Sequence, residues 1–181
     1  MNHLLQTDNT VCIVIDIQER LTPVLHEAEA FVARSSVLLQ GLQALNIPLL
    51  LTEQYPKGLG STLAEIKQHL ADVPIVEKTR FSAWVAEVEA FVRAQQAQNV
   101  ILIGAEAHVC MLQTVLDLRA NGLTVYIPFE CTTSRHPLNK DNALQQMQAA
   151  GAIVSNVESI LFMLLQDAKH PTFKTISKLI Q

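Results

Sequence analysis

The run VCIVIDI at residues 11–17, read together with NVILIGA at residues 99–105, decides the fold. Both are apolar at consecutive rather than alternate positions. That is the pattern of a strand buried on both faces, as in a parallel sheet covered by helices on either side. Working outward, strand-length runs recur at residues 48–52, 74–78, 123–128 and 152–155. Helical spacing of apolar residues between them predicts helices over 27–45, 61–70 (with Ser61 as the N-cap), 85–96, 110–119 and 139–149. Asn121-Gly122 and Ala150-Gly151 fall where two of these helices must stop, and residues 157–181 read as two further helices. Regular alternation of strand and helix predicts a three-layer α/β/α fold with a six-stranded, mostly parallel sheet and right-handed crossovers. With no linker or repeat in the chain, residues 1–181 read as one domain.

Composition narrows the function. Thirteen Lys and Arg against seventeen Asp and Glu give a net charge of −4, which offers no basic surface for a phosphate backbone. Nucleic acid is therefore not an expected partner. The apolar share of 49 % is too high for disorder and leaves room for an apolar face between subunits. The opening MNHLLQTDNT lacks a basic stretch followed by a long apolar run, so neither a secretory leader nor a membrane anchor is expected. Cys12, Cys110 and Cys131 are odd in number and widely spaced, which fits neither a disulfide framework nor a zinc knuckle. A reducing, cytoplasmic compartment follows. The six histidines (His3, His26, His69, His108, His136 and His170) show no ligand spacing, so no metal and no other cofactor is expected.

In doubly wound folds, chemistry collects beyond the carboxyl ends of the strands. Three residue types stand there. Asp16 ends the first strand, Lys78 follows the third, and Cys110 lies just past the fourth, where a helix begins. A helix N-terminus and a nearby ammonium both favour a thiolate. Each residue also has a plainer reading: Cys110 as a small core side chain, Asp16 as a cap or turn residue, Lys78 as a solvated loop charge. Their joint placement in one crevice favours the chemical reading.

The segments VCIVIDIQERL, EKTRFSAW, GAEAHVCMLQT and FECTTSRHP resemble the isochorismatase-like cysteine hydrolase superfamily over essentially the whole chain. TEQYPKGLGST and HPTFKTISKLI look closest to its small isochorismatase-domain-containing proteins. The resemblance implies a catalytic triad of Asp16, Lys78 and Cys110 acting on a small amide-like C–N bond through a thioacyl-enzyme. It also implies a non-proline cis peptide between Ala105 and Glu106, and an oxyanion hole made by the N–H groups of Glu106 and Cys110. A small-molecule substrate and a homo-oligomer follow from it too. The alternative is a catalytically idle binding or scaffold protein that retains the fold.

The chain departs from parts of that superfamily. TEQYPK at residues 52–57 has no histidine where the metal-dependent nicotinamidases place theirs, and Cys110 sets it apart from the vinyl-ether-cleaving isochorismatases. Close relatives often carry Thr where this chain has Ala107. Candidate pocket residues are Gln18, Tyr55, Phe81 and Trp84. Phe81 and Trp84 read equally as an apolar wall beside the thiol or as core or interface residues. Tyr55 is explained more economically by the turn Tyr-Pro-Lys-Gly. Arg135 reads as a carboxylate partner within the fold or as a binder of an acidic substrate, and Cys12 reads as core. No Gly-x-Gly-x-x-Gly follows the first strand, which excludes dinucleotide binding there.

Overall fold

A computed structural model describes residues 4–68, 70 and 72–181; His3 and His69 lie outside the described residues. The strands are β1 (Thr10–Ile15), β2 (Leu49–Gln54), β3 (Ile75–Lys78), β4 (Asn99–Ala105), β5 (Thr124–Pro128), β6 (Thr132–Thr133) and β7 (Ile153–Ser155). The six expected strands all form. They run in the order β3-β2-β1-β4-β5-β7, every named pair parallel, and the two-residue β6 adds a seventh by pairing with the end of β4. Two residues flanked by a 3-10 turn carry no periodicity, which is why β6 has no sequence signature.

The unbroken apolar runs are explained by the pleat. Val11, Ile13 and Ile15 enter one core layer with Val100 and Leu102, while Cys12 and Val14 enter the opposite layer with Ile101 and Ile103. The helices α1 (Ala28–Ala44), α7 (Val157–Leu165) and α8 (Phe173–Leu179) cover the second of these layers; α4 (Ala86–Ala94), α5 (Leu112–Ala120) and α6 (Pro137–Ala149) cover the first. Two short helices, α2 (Pro56–Leu59) and α3 (Ala64–Lys67), complete the set.

The expected helix over 61–70 is cut to α3, and Ser61 does not cap it. Thr62 bridges Gln18 and gives both its N–H and its hydroxyl to Glu53, and the Leu63 N–H reaches the Ile17 carbonyl. These long-range bonds hold residues 61–63 extended against the loop after β1, overriding local helix propensity. At the thiol segment the helix instead starts early. A π-helical turn, Ala107–Met111, precedes α5 and takes in Cys110.

The direction of the sheet reverses at β1: β2 and β3 lie on one side and β4 on the other. The crevice outside the carboxyl ends of β1 and β4 is thus the switch point, where such sheets bind ligands. Gly104 makes the close approach of these two strands possible. Its φ is +129°, and a Cβ there would lie 1.9 Å from the Ile15 carbonyl oxygen.

Candidate active site

Asp16 follows β1 with a φ of +52°, a left-handed conformation that Asp tolerates better than most residues. Its side chain is fully buried. Oδ1 accepts a hydrogen bond from the Thr52 hydroxyl at 2.7 Å, and Oδ2 lies 2.8 Å from the Lys78 ammonium. Lys78 sits two strands away from β1, a span of roughly 9.6 Å at about 4.8 Å per strand. A four-carbon stem bridges most of that gap, and the Asp side chain the rest.

Lys78 Nζ also donates to Gln54 Oε1 at 2.8 Å and to the carbonyls of Phe81 and Arg80 at 3.1 and 3.3 Å. This ammonium is therefore buried with ample acceptors, the condition under which a buried cation is tolerable. The register explains the cluster. Thr52 pairs with Ile15 and Gln54 with Lys78, so two residues of one face of β2 stand beside the acid and the cation.

Cys110 is buried in the π turn after β4, and the Asp16 carboxylate accepts a hydrogen bond from its thiol. Burial pushes this thiol up to about 12; the Asp16 charge pushes the same way, Lys78 opposes it, and Glu106 adds a smaller upward push. At neutral pH the resting group is a protonated thiol facing a carboxylate. Cys12 and Cys131 are also raised by burial and lie in the layer under α1.

The peptide between Ala105 and Glu106 is cis. The Glu106 carbonyl accepts from the N–H groups of Val109 and Met111, which starts the turn. Cys110 stands in that first turn, where helix N–H groups lack the usual intrahelical acceptors. The Glu106 side chain is buried, and its Oε1 takes both the main-chain N–H and the Nε–H of Arg135, at 3.1 and 3.0 Å. Of the two readings of Arg135, the structure provides the carboxylate partner within the fold.

The four candidate pocket residues are placed differently from one another. Gln18 is fully buried, and its amide joins backbone to backbone: Nε2 donates to the carbonyls of Gln54 and Gly60, and Oε1 accepts from the Gln54 N–H. It is a bracket between the loops after β1 and β2. Tyr55 is half-exposed, opens α2 in the left-handed region and rests its ring over Gly58, as the turn reading implies. Phe81 is half-exposed and contributes its carbonyl to Lys78. Trp84 packs on the core layer that contains Cys110 and lines a surface hollow with Val92, Gln96 and Leu123, which supports its core reading.

Sequence reasoning missed Thr52 and Gln54, and also the ties between the Lys78 loop and the thiol helix. Thr114 Oγ1 donates to the Cys110 carbonyl at 2.6 Å and accepts from the Ala83 N–H at 2.9 Å. Ser82 donates to Asp117 at 2.6 Å and accepts from the Trp84 N–H. The Cys110–Thr114 spacing of four was a visible signal; its partner Ala83 was not. Among the described residues, no group of three or more His, Cys, Asp or Glu side chains is arranged to hold a metal, and no helix is long and apolar enough to cross a membrane.

Residues 10–159 match the family model described as the isochorismatase domain. The chain belongs to the isochorismatase family. Among isochorismatase-family relatives, isochorismatase domain-containing protein 1 of Salmo salar is 39 % identical, aligned over 95 % of this chain but only 61 % of its own length. The secreted isochorismatase effector Isc1 of Phytophthora sojae is 36 % identical over 96 % of this chain and 85 % of its own. A solved structure described as a MAR1 ribonuclease from Caenorhabditis elegans superposes with a TM-score of 0.94 at 38 % identity, covering 97 % of this chain and 91 % of that one. The three-layer isochorismatase-like architecture expected from the sequence is the one observed.

Proposed function

We propose that this isochorismatase-family hydrolase is a metal-independent cysteine amidohydrolase that cleaves a small amide-like C–N bond through a thioacyl-enzyme. The observation that carries the reading is the buried contact of one carboxylate, that of Asp16, with both the Lys78 ammonium and the Cys110 thiol.

The chemistry follows from that contact. Asp16 takes the thiol proton as sulfur bonds to the carbonyl carbon, so a free thiolate need not accumulate. Lys78 holds the carboxylate in place and offsets its charge. The N–H groups of Glu106 and Cys110 face the developing oxyanion; one such donor is typically worth about 2.7–4 kcal/mol in the transition state. As the C–N bond breaks, Asp16 returns the proton to the leaving amine. Water then attacks the thioester carbonyl, releasing the acid and regenerating the thiol.

The test is a panel of small amides, ureas and carbamoyl compounds against the native chain and Cys110→Ala, with an RNA oligonucleotide as a further arm because a similar protein is described as a ribonuclease. The reading predicts turnover of a small amide that vanishes in Cys110→Ala while the melting temperature stays within a few degrees. Turnover undiminished in Cys110→Ala overturns it. So does cleavage of RNA, but of no amide, by both proteins. The idle-scaffold alternative has no structural observation in its favour, since nothing in the triad is missing. Homo-oligomerisation and a cytoplasmic location belong to the same proposal and are checked by light scattering and by fractionation of the source cells.

A further inference from the structure

The loop between β6 and α6 grips the thiol-bearing turn at two points. Ser134 Oγ lies 3.0 Å from His108 Nδ1, and Arg135 holds Glu106 through both its main-chain N–H and its guanidinium. Glu106 and His108 stand four and two residues before Cys110. The Glu106–Arg135 pair is asymmetric: the carboxylate is 9 % exposed and the guanidinium 64 %. An exposed cation thus covers a buried anion near the thiol.

Resting on the hydrolase reading above, we propose that Arg135 is a positioning residue that sets the reactivity of Cys110 through Glu106. Its guanidinium holds the Glu106 carboxylate, and so the peptide N–H of that residue, in one orientation. It also balances a negative charge that otherwise faces the sulfur uncompensated. The charged and titratable groups around that sulfur are Asp16 from the end of β1, Lys78 from β3, and Glu106 and His108 from its own segment, with Arg135 behind Glu106. Asp16 and Glu106 both oppose a thiolate and Lys78 favours it. Arg135 is the cation paired with Glu106, so its loss leaves that carboxylate without its partner.

The experiment measures the rate of iodoacetamide labelling at Cys110 against pH, with the site mapped by mass spectrometry, in the full chain. Below the thiol midpoint this rate follows the thiolate fraction, so a change in charge balance displaces the whole profile. Arg135→Ala is expected to label about three- to tenfold more slowly at pH 8, a displacement of up to one pH unit. Arg135→Lys keeps the charge but not the fork, and falls between Ala and Arg. Glu106→Gln labels faster than the native chain, and Arg135→Ala with Glu106→Gln returns to within about twofold of it. A merely structural role for Arg135 would lower stability or expose Cys12 and Cys131 without displacing the Cys110 profile along the pH axis.

Cys12 and Cys131 report on folding, because both are fully buried and label only if the core opens. If Arg135→Ala loses its fold by this measure, Arg135→Lys and Glu106→Gln carry the test. Labelling of Arg135→Ala at the native rate, or a double variant as slow as Arg135→Ala, overturns the proposal. An unreactive Cys110 in the native chain overturns it as well. If amide turnover is absent while Cys110 labelling shifts as expected, the hydrolase reading fails and the coupling stands.

Discussion

Replacing Lys78 by Met is the sharpest probe of the buried centre. The substitution keeps an unbranched side chain only one atom shorter and removes its charge. Asp16 would then be a fully buried carboxylate facing only the Thr52 hydroxyl and the Cys110 thiol, and Gln54 Oε1 and the carbonyls of Arg80 and Phe81 would lose a donor. Removing one partner of a buried pair costs about 3–5 kcal/mol, because the remaining charge is left uncompensated. Typical total stability is about 5–15 kcal/mol, so this is a large fraction of it. For a chain of this size it corresponds to a fall in melting temperature of about 6–20 °C. Urea denaturation followed by circular dichroism at pH 7 gives the number directly. Adding Asp16→Asn removes the orphaned charge, and the double variant should recover at least half of the loss. A Lys78→Met protein within about 1 kcal/mol of the native chain would refute the reasoning. A double variant whose loss equals the sum of the singles would do the same.

Three further outcomes are expected. Gly104→Ala puts a Cβ 1.9 Å from backbone that cannot yield, at a φ of +129°, and should cost more than about 4 kcal/mol; an unchanged thermal melt would contradict the β1–β4 approach. Thr52→Val removes the hydroxyl donor to Asp16 at constant shape and should destabilise by about 1.5–3 kcal/mol in urea, a loss that shrinks when Asp16 is already Asn. The third concerns alkaline pH. Cys12, Cys110 and Cys131 are all raised by burial above the unfolded value of 9.0, so the folded chain retains protons that the unfolded chain has lost. Their contribution is intact below pH 9 and fades as pH climbs toward about 12. Under reducing conditions the urea midpoint should fall less steeply between pH 8.5 and roughly 10.5 in Cys12→Ala with Cys131→Ala than in the native chain. Parallel slopes would show that these thiols titrate as freely folded as unfolded.

Much of the architecture was legible because the signals behind it are local. A strand buried on both faces must be apolar at every position, and VCIVI and NVILI are so. A helix that stops needs a residue that accepts a positive φ, and Gly122 and Gly151 supply it at +80° and +88°. Asp16, Lys78 and Cys110 stood out because each is a reactive group at the carboxyl end of a strand, a position that depends only on the order of elements. Ser61 misled for the same local reason: a hydroxyl before a helical pattern reads as a cap unless something distant holds the chain extended.

Tertiary structure decided what depends on register and on the meeting of remote segments. That Thr52 stands beside Asp16 and Gln54 beside Lys78 follows from how β2 slides between its neighbours, and a shift of one residue would turn both away. The hold of Arg135 on Glu106, and of Thr114 on the Lys78 loop, joins residues that are about 30 positions apart. Sequence periodicity describes which face of one element is buried; it holds no information on which neighbour lies there. Elements and their chemistry were therefore set by the chain's own pattern, while the distances within the site were set by packing two covered faces around a single parallel sheet.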